Sequence, residues 1–174
     1  FFETYVAKKE LPKKIFKLKS NNILDSWIIS CLNNLIEKVT KNLDRYNPVV
    51  ASSAIEKFFI EDLSLWFIRR SRKRFQGTEN IKEKQQATEI LYFLLLNLMK
   101  LIAPMMPFLA EEIYLSIKTK NMPESIHLCD WPKAETKLID KNLEEKMEKV
   151  RETVAQVLAE RAKIGIKVRQ PLNK

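Results

Sequence analysis

Five cations in six positions, Arg69, Arg70, Arg72, Lys73 and Arg74, interrupted by Ser71 and followed by Phe75, are the residues of this chain best suited to bind an anion. Guanidinium groups present planar forks of donors that match phosphate oxygens, and a lysine adds a compact point charge. Pairing along one helix cannot neutralise five neighbouring cations, so part of the cluster requires an anion from elsewhere. Phe75 adds a ring on which an unstacked nucleobase can lie, and Tyr46 and Trp131 are further rings of that type. For any single cation the competing expectation is an ion pair with Glu61 or Asp62, or with acidic groups of a neighbouring domain. Arg69 and Arg70 follow Trp66 and are expected to pack structurally, while Arg72, Lys73 and Arg74 lie farther out. Trp131, flanked by Leu128 and Pro132, is expected to anchor apolar surface. If three to five of the cations neutralise phosphates, log affinity falls against log salt with a slope of roughly −2 to −4.5.

Other chemistry is poorly supplied. The single histidine, His127, has no companion at metal-ligand spacing and no nucleophile at motif spacing, and Cys31 and Cys129 suit neither a disulfide framework nor a zinc cluster. We therefore assign no catalytic and no metal-binding residue, expect no cofactor in this chain, and read the thiols as reduced and intracellular. Glycine occurs only at 77 and 165, which argues against glycine-rich nucleotide loops and against sheets with many tight turns. Lys and Arg number 31 against 22 Asp and Glu, a net charge of +9, which favours polyanionic partners. No apolar run reaches the length of a membrane span, so a soluble, cytoplasmic protein without a membrane partner is expected.

The elements that must position the cluster are helical. Leu24, Trp27, Ile28, Cys31, Leu32, Leu35, Ile36, Val39 and Leu43 recur at three- and four-residue spacing and predict a long amphipathic helix ending near Tyr46. Asn47 and Pro48 read as the N-cap and first residue of a second helix, carrying Ala51, Ile55, Phe58, Phe59, Leu63 and Trp66 toward the cations, with Gly77 as its stop. Projected at 100° per residue, Ile55, Phe59, Trp66, Arg70, Lys73 and Arg74 share one arc, so the charges are expected to prolong the core stripe. A third helix is expected from Thr78 or Glu79 to just before Pro104. A fourth follows the Pro104-Met105-Met106-Pro107 break, whose methionines read as core filler. A fifth carries Ile139, Leu143, Met147, Val150, Val154, Val157 and Leu158 as a narrow stripe, capped near Gly165. The alternation Ile166-Lys167-Val168-Arg169 reads as a strand.

The expected architecture is thus an all-α bundle of about five helices, two of them near 25 residues and so roughly 37 Å long. It divides into a basic lead-in over 1–20 with lysines at 8, 9, 13, 14, 17 and 19, a bundle over 21–138, a long helix over 139–164, and the start of a following unit over 165–174. The absence of an initiator Met marks the chain as an expected piece of a longer polypeptide. A protein-interaction bundle docking through the fifth helix and a DNA-binding helical domain are the competing function classes. The first leaves the arginines unexplained, and the second lacks helix-turn-helix spacing.

Three stretches taken together carry a resemblance. They are Asp62-Leu63-Ser64-Leu65-Trp66-Phe67-Ile68-Arg69-Arg70-Ser71-Arg72, Leu101-Ile102-Ala103-Pro104-Met105-Met106-Pro107-Phe108-Leu109-Ala110-Glu111-Glu112-Ile113-Tyr114, and Ser125-Ile126-His127-Leu128-Cys129-Asp130-Trp131-Pro132. In order and spacing they resemble the helical anticodon-binding domain that follows the catalytic domain in class I isoleucyl-tRNA synthetases. Trp66 to Phe75 and Ile166 to Leu172 look particular to the isoleucine enzymes. The resemblance implies a parent that activates isoleucine with ATP and magnesium and transfers it to its tRNA. Partners of this piece would then be isoleucine tRNA and the catalytic domain of the same chain. The His-Ile-Gly-His and Lys-Met-Ser-Lys-Ser type motifs and the zinc-binding cysteines of such enzymes do not occur here, so this piece is expected to bind tRNA and to be inactive alone. The tRNA-binding residues expected are Arg69, Arg70, Arg72, Lys73, Arg74 and Phe75.

Overall fold

The computed structural model describes residues 20–76 and 80–171. The lysine-rich lead-in up to residue 19, and the expected helix boundaries at Gly77, Thr78 and Glu79, lie outside these residues. The chain divides after Ile139, with a second unit beginning at Asp140.

Helix α1 (Ile23–Leu43) starts where Asn22 Oδ1 accepts the Leu24 amide at 2.9 Å, satisfying one of the donors a helix start leaves open. Its stripe of Trp27, Ile28, Leu32, Leu35, Ile36 and Val39 is buried. The chain then reverses within four residues, and Asn47 Oδ1 takes the Val50 amide to open α2 (Pro48–Lys57) on a proline whose fixed φ suits that position.

The second helix departs from expectation in its middle. After α2 the backbone stays right-handed through Phe58 (φ −59°, ψ −45°) but enters a π-helical segment, π1 (Phe58–Ile68), before returning to α geometry in α3 (Arg69–Gln76). Ser64 Oγ donates to the Phe59 carbonyl five residues back at 2.8 Å. A π ring encloses one residue more than an α ring, so the buried face advances by five from Phe58 to Leu63, then by four through Phe67, Ser71 and Phe75. The arc projected at uniform α spacing is therefore corrected. Phe59 is 46% exposed, Arg70 and Lys73 are exposed, and only Arg74 of the cations borders the buried stripe.

Helix α4 (Ile81–Ile102) opens at the Asn80 N-cap, whose Oδ1 accepts the Glu83 amide at 3.3 Å. It buries Ala87, Ile90, Leu91, Leu94, Leu98 and Leu101. Helix α5 (Pro107–Ile117) follows the double-proline corner. Met106 there is 51% exposed and fills no core, contrary to its expected role. Helix α1 packs on α2, π1 and α4, while α4 also packs on α3 and α5. This buried framework holds α3 rigidly.

The connection after α5 is ordered by side chains rather than by periodic structure. Glu111 accepts from Ser125 Oγ and the Ile126 amide, both at 2.9 Å, and these bonds hold its carboxyl below the usual range, the backbone amide foremost. Tyr114 donates to the Pro123 carbonyl at 2.8 Å, and burial keeps its hydroxyl protonated well beyond the normal tyrosine range. Trp131 Nε1 donates to Thr40 Oγ1 at 2.8 Å, and the buried Asn33 accepts the Glu135 amide at 2.7 Å, pinning the connection along α1.

In the second unit, α6 (Lys141–Lys163) starts at Asp140, whose Oδ1 accepts the Leu143 amide at 3.0 Å. None of its residues is buried. Gly165, at φ +68°, closes its end. The expected strand over 166–169 is corrected to a turn: Gln170 N bonds Lys167 O at 3.0 Å, and Arg161 Nη2 donates to the carbonyls of Lys167 and Gln170. A strand needs a neighbour to complete its ladder, and no strand occurs among the described residues.

Candidate nucleic-acid interface

The five cations occupy the last helical turns of the rod formed by α2, π1 and α3, beside the start of α1. Arg74 reaches across to Asp25 and grips it through two bonds, Nη1 to Oδ1 at 2.7 Å and Nη2 to Oδ2 at 2.8 Å. The Asp25 carboxylate is fully buried, the Arg74 side chain only 12% exposed, and Ser20 Oγ gives Asp25 Oδ2 a further bond at 2.7 Å. Arg74 is therefore a structural clamp that ties α3 to α1, which corrects its expected role as an RNA contact. The ordering within the cluster is also corrected, because the outermost residue is the one packed in.

Phe75 is 2% exposed and part of the core, so its ring offers no face for a nucleobase without unfolding α3. The cause is the register that π1 imposes, which places Phe75 four residues after the buried Ser71. Trp131 is half-buried with its only polar hydrogen used on Thr40, consistent with anchoring.

Arg69, Arg70, Arg72 and Lys73 remain exposed on the outer side of α3. The Arg70 guanidinium stands 5.0 Å from the centre of the half-buried Trp66 ring, a cation–π contact made by a residue that stays exposed. Four exposed positive charges thus stand on a helix that is itself held by Arg74 and Phe75, an arrangement whose chemistry suits a polyanion. Among the described residues no cluster of His, Cys, Asp and Glu could hold a metal, and no helix is long and apolar enough to cross a membrane. His127 sits exposed in a short 3₁₀ turn.

Sequence reasoning missed Asp25 as the partner of Arg74. The signal was present: Asp25 precedes Ile28, Ile29 and Leu32 by three, four and seven positions, and a carboxylate on that apolar face requires a buried cation.

Comparison with known proteins agrees with this geometry. A family model described as the anticodon-binding domain of tRNA ligase matches residues 25–174. The chain is 39% identical over 174 residues to an isoleucine–tRNA ligase of Protochlamydia amoebophila, covering 99% of this chain and 16% of that protein. It is 41% identical over 165 residues to one of Clostridium kluyveri, covering 93% and 16%, and 43% identical over 152 residues to one of Dehalococcoides mccartyi, covering 86% and 15%. The chain thus spans about one sixth of the length of the curated relatives it matches. The match runs from the clamp residue Asp25 through the exposed cations and beyond, and it favours tRNA binding over a protein-interaction or DNA-binding bundle: the chain belongs to the family of anticodon-binding domains of tRNA ligases.

Proposed function

We propose that this chain is the tRNA-binding part of an isoleucine–tRNA ligase acting in the cytoplasm, and that it grips isoleucine tRNA through Arg69, Arg70, Arg72 and Lys73. The observation that carries the RNA contact is the exposure of these four cations on a helix fixed by the buried Arg74–Asp25 pair. The names of the relatives support the choice of amino acid. Activation of isoleucine with ATP and magnesium belongs to the catalytic domain of the parent protein, and this domain's part is to hold the RNA while that chemistry proceeds. Phosphate contacts position the tRNA but carry no sequence information by themselves. Removing them should weaken binding to all tRNAs alike, leaving the choice among tRNAs unchanged.

The test is a charging assay of the full-length protein with ATP, each of the branched-chain amino acids and the corresponding tRNA transcripts. Isoleucine should be esterified to its own tRNA, and Arg72→Ala with Lys73→Ala should raise the KM for tRNA while leaving ATP-dependent isoleucine activation intact. Preferential charging of valine or leucine, or a KM untouched by the double substitution, would overturn the reading.

A further inference from the structure

The opposite end of α1 carries a feature that folding does not explain. The chain leaves this helix through a Schellman closure: the Asn47 amide bonds the Asn42 carbonyl at 2.9 Å, and the Tyr46 amide bonds the Leu43 carbonyl at 2.9 Å. In such a closure the penultimate residue is left-handed, a conformation that glycine adopts freely and bulky residues avoid. The same chain uses glycine there at the end of α6, where Ile166 and Gly165 bond Arg161 and Ala162 in the same pattern with Gly165 at φ +68°. At the end of α1 the position is held by Tyr46, at φ +54°, and its side chain gains nothing from the fold, since the residue is 94% exposed. A strained, solvent-facing aromatic is the kind of outlier that accumulates at ligand contacts.

The surroundings fit one ligand chemistry. Beside this corner a groove of about 700 Å³ is lined by Lys41, Arg45, Lys133 and the half-buried Trp131, with Glu37 and Asp44 as its acids. Lys38 adds a further cation on the adjacent face, where a second groove of about 520 Å³ shares Lys41 and Arg45. Four cations against two carboxylates favour a phosphate-bearing ligand, and the exposed Tyr46 ring, next in the chain to the groove-lining Arg45, favours a flat, apolar base over a bare ion. The volume falls within the range of small-molecule clefts, enough for a single nucleotide. The corner lies about 32 Å from the arginine tip, the length of the 21-residue α1, so the two are separate contacts.

We infer that Tyr46 is a stacking platform for an unpaired RNA base, with Lys38, Lys41, Arg45 and Lys133 holding the flanking phosphates. The inference rests on the reading of this chain as an RNA binder and deepens it, because stacking engages bases splayed from a loop while the arginine tip engages backbone.

The experiment uses the full-length polypeptide and an isoleucine tRNA transcript carrying 2-aminopurine in its anticodon loop. Tyr46→Gly should leave the thermal unfolding midpoint unchanged or raise it by a few degrees, since it relieves the left-handed tyrosine. It should at the same time weaken tRNA binding by about 5- to 150-fold and diminish the quenching of 2-aminopurine on binding. Tyr46→Phe should bind as the natural protein does. Undiminished affinity of Tyr46→Gly, alongside normal salt-dependent binding by the natural protein, overturns the platform and leaves the RNA reading standing. A lowered unfolding midpoint for Tyr46→Gly assigns the ring to stability and also overturns it. Salt-independent or absent tRNA binding by the natural protein removes the RNA reading itself, and the platform with it.

Discussion

Replacing Arg74 separates the role of a clamp from that of an RNA contact. Its partner Asp25 is fully buried and accepts two bonds at 2.7 and 2.8 Å, while the Arg74 side chain is only 12% exposed, so the figure for a buried pair applies rather than that for a surface pair. Arg74→Met strands a carboxylate in the core, and removal of one partner from such a pair costs about 3–5 kcal/mol. With a urea dependence of about 1–3 kcal/mol per molar, the midpoint should fall by about 1 M or more. Substituting both partners, Asp25→Leu with Arg74→Met, removes the stranded charge and should recover most of that loss, because apolar replacement of a buried pair is often close to neutral. Urea unfolding followed by tryptophan fluorescence measures both, and the double-mutant cycle isolates the coupling between them. The doubly substituted chain should also keep the natural salt dependence of tRNA binding, since Arg74 faces Asp25 and not solvent. A loss below about 1 kcal/mol for Arg74→Met would refute the clamp. So would a drop of about one unit in the salt slope of the double variant, which would return Arg74 to the RNA surface.

Three further outcomes follow from the packing. Phe67 is fully buried and Phe59 is 46% exposed, so Phe67→Ala should cost about 3–5 kcal/mol and Phe59→Ala less than about 1 kcal/mol; equal losses in urea unfolding would contradict the π-helical register. Glu111 has a folded-state pKa below its unfolded value, so its stabilisation is full above about pH 4.3 and is lost as pH falls through the lower folded value. Acid unfolding curves of Glu111→Gln should lack that component, and a curve parallel to the natural one would count against the assignment. Thr40→Val removes the acceptor of the Trp131 indole bond and should cost about 0.5–1.5 kcal/mol together with a change in Trp131 fluorescence; an unchanged melting curve and emission would show the bond to be idle.

Much of the helical order is readable from residue spacing, since the stripes from Trp27 to Val39 and from Ala87 to Leu101 repeat at helical intervals and prove buried. The caps at Asn47 and Pro48 are equally legible because their chemistry is local. What escapes is the middle of the second helix. The π segment buries Phe58, Leu63 and Phe67, and no local residue type announces it. That shift in register buries Phe75, turns Arg74 inward and leaves Arg70 and Lys73 outside, so the composition of the cluster was visible while the role of each member was not. The Ile166–Arg169 alternation misled for a related reason: period-two spacing makes a strand only where another strand completes its ladder. Tyr46 was recognisable as an aromatic ring of possible use, but its left-handed backbone depends on how tightly α1 turns into α2.

If the four exposed cations at the end of the second helix hold tRNA phosphates, the salt dependence of tRNA binding carries their signature. Each phosphate neutralised contributes about −0.7 to −0.9 to the slope of log affinity against log salt, so Arg69, Arg70, Arg72 and Lys73 together account for about −2.8 to −3.6. Measured by filter binding or anisotropy between 50 and 200 mM salt, the variant with all four changed to Gln should show a slope shallower than the natural protein's by that amount, with the unfolding midpoint lowered by no more than about 4 °C through loss of the Arg70–Trp66 contact. A variant that folds normally and retains the natural slope would remove these four cations from the RNA surface.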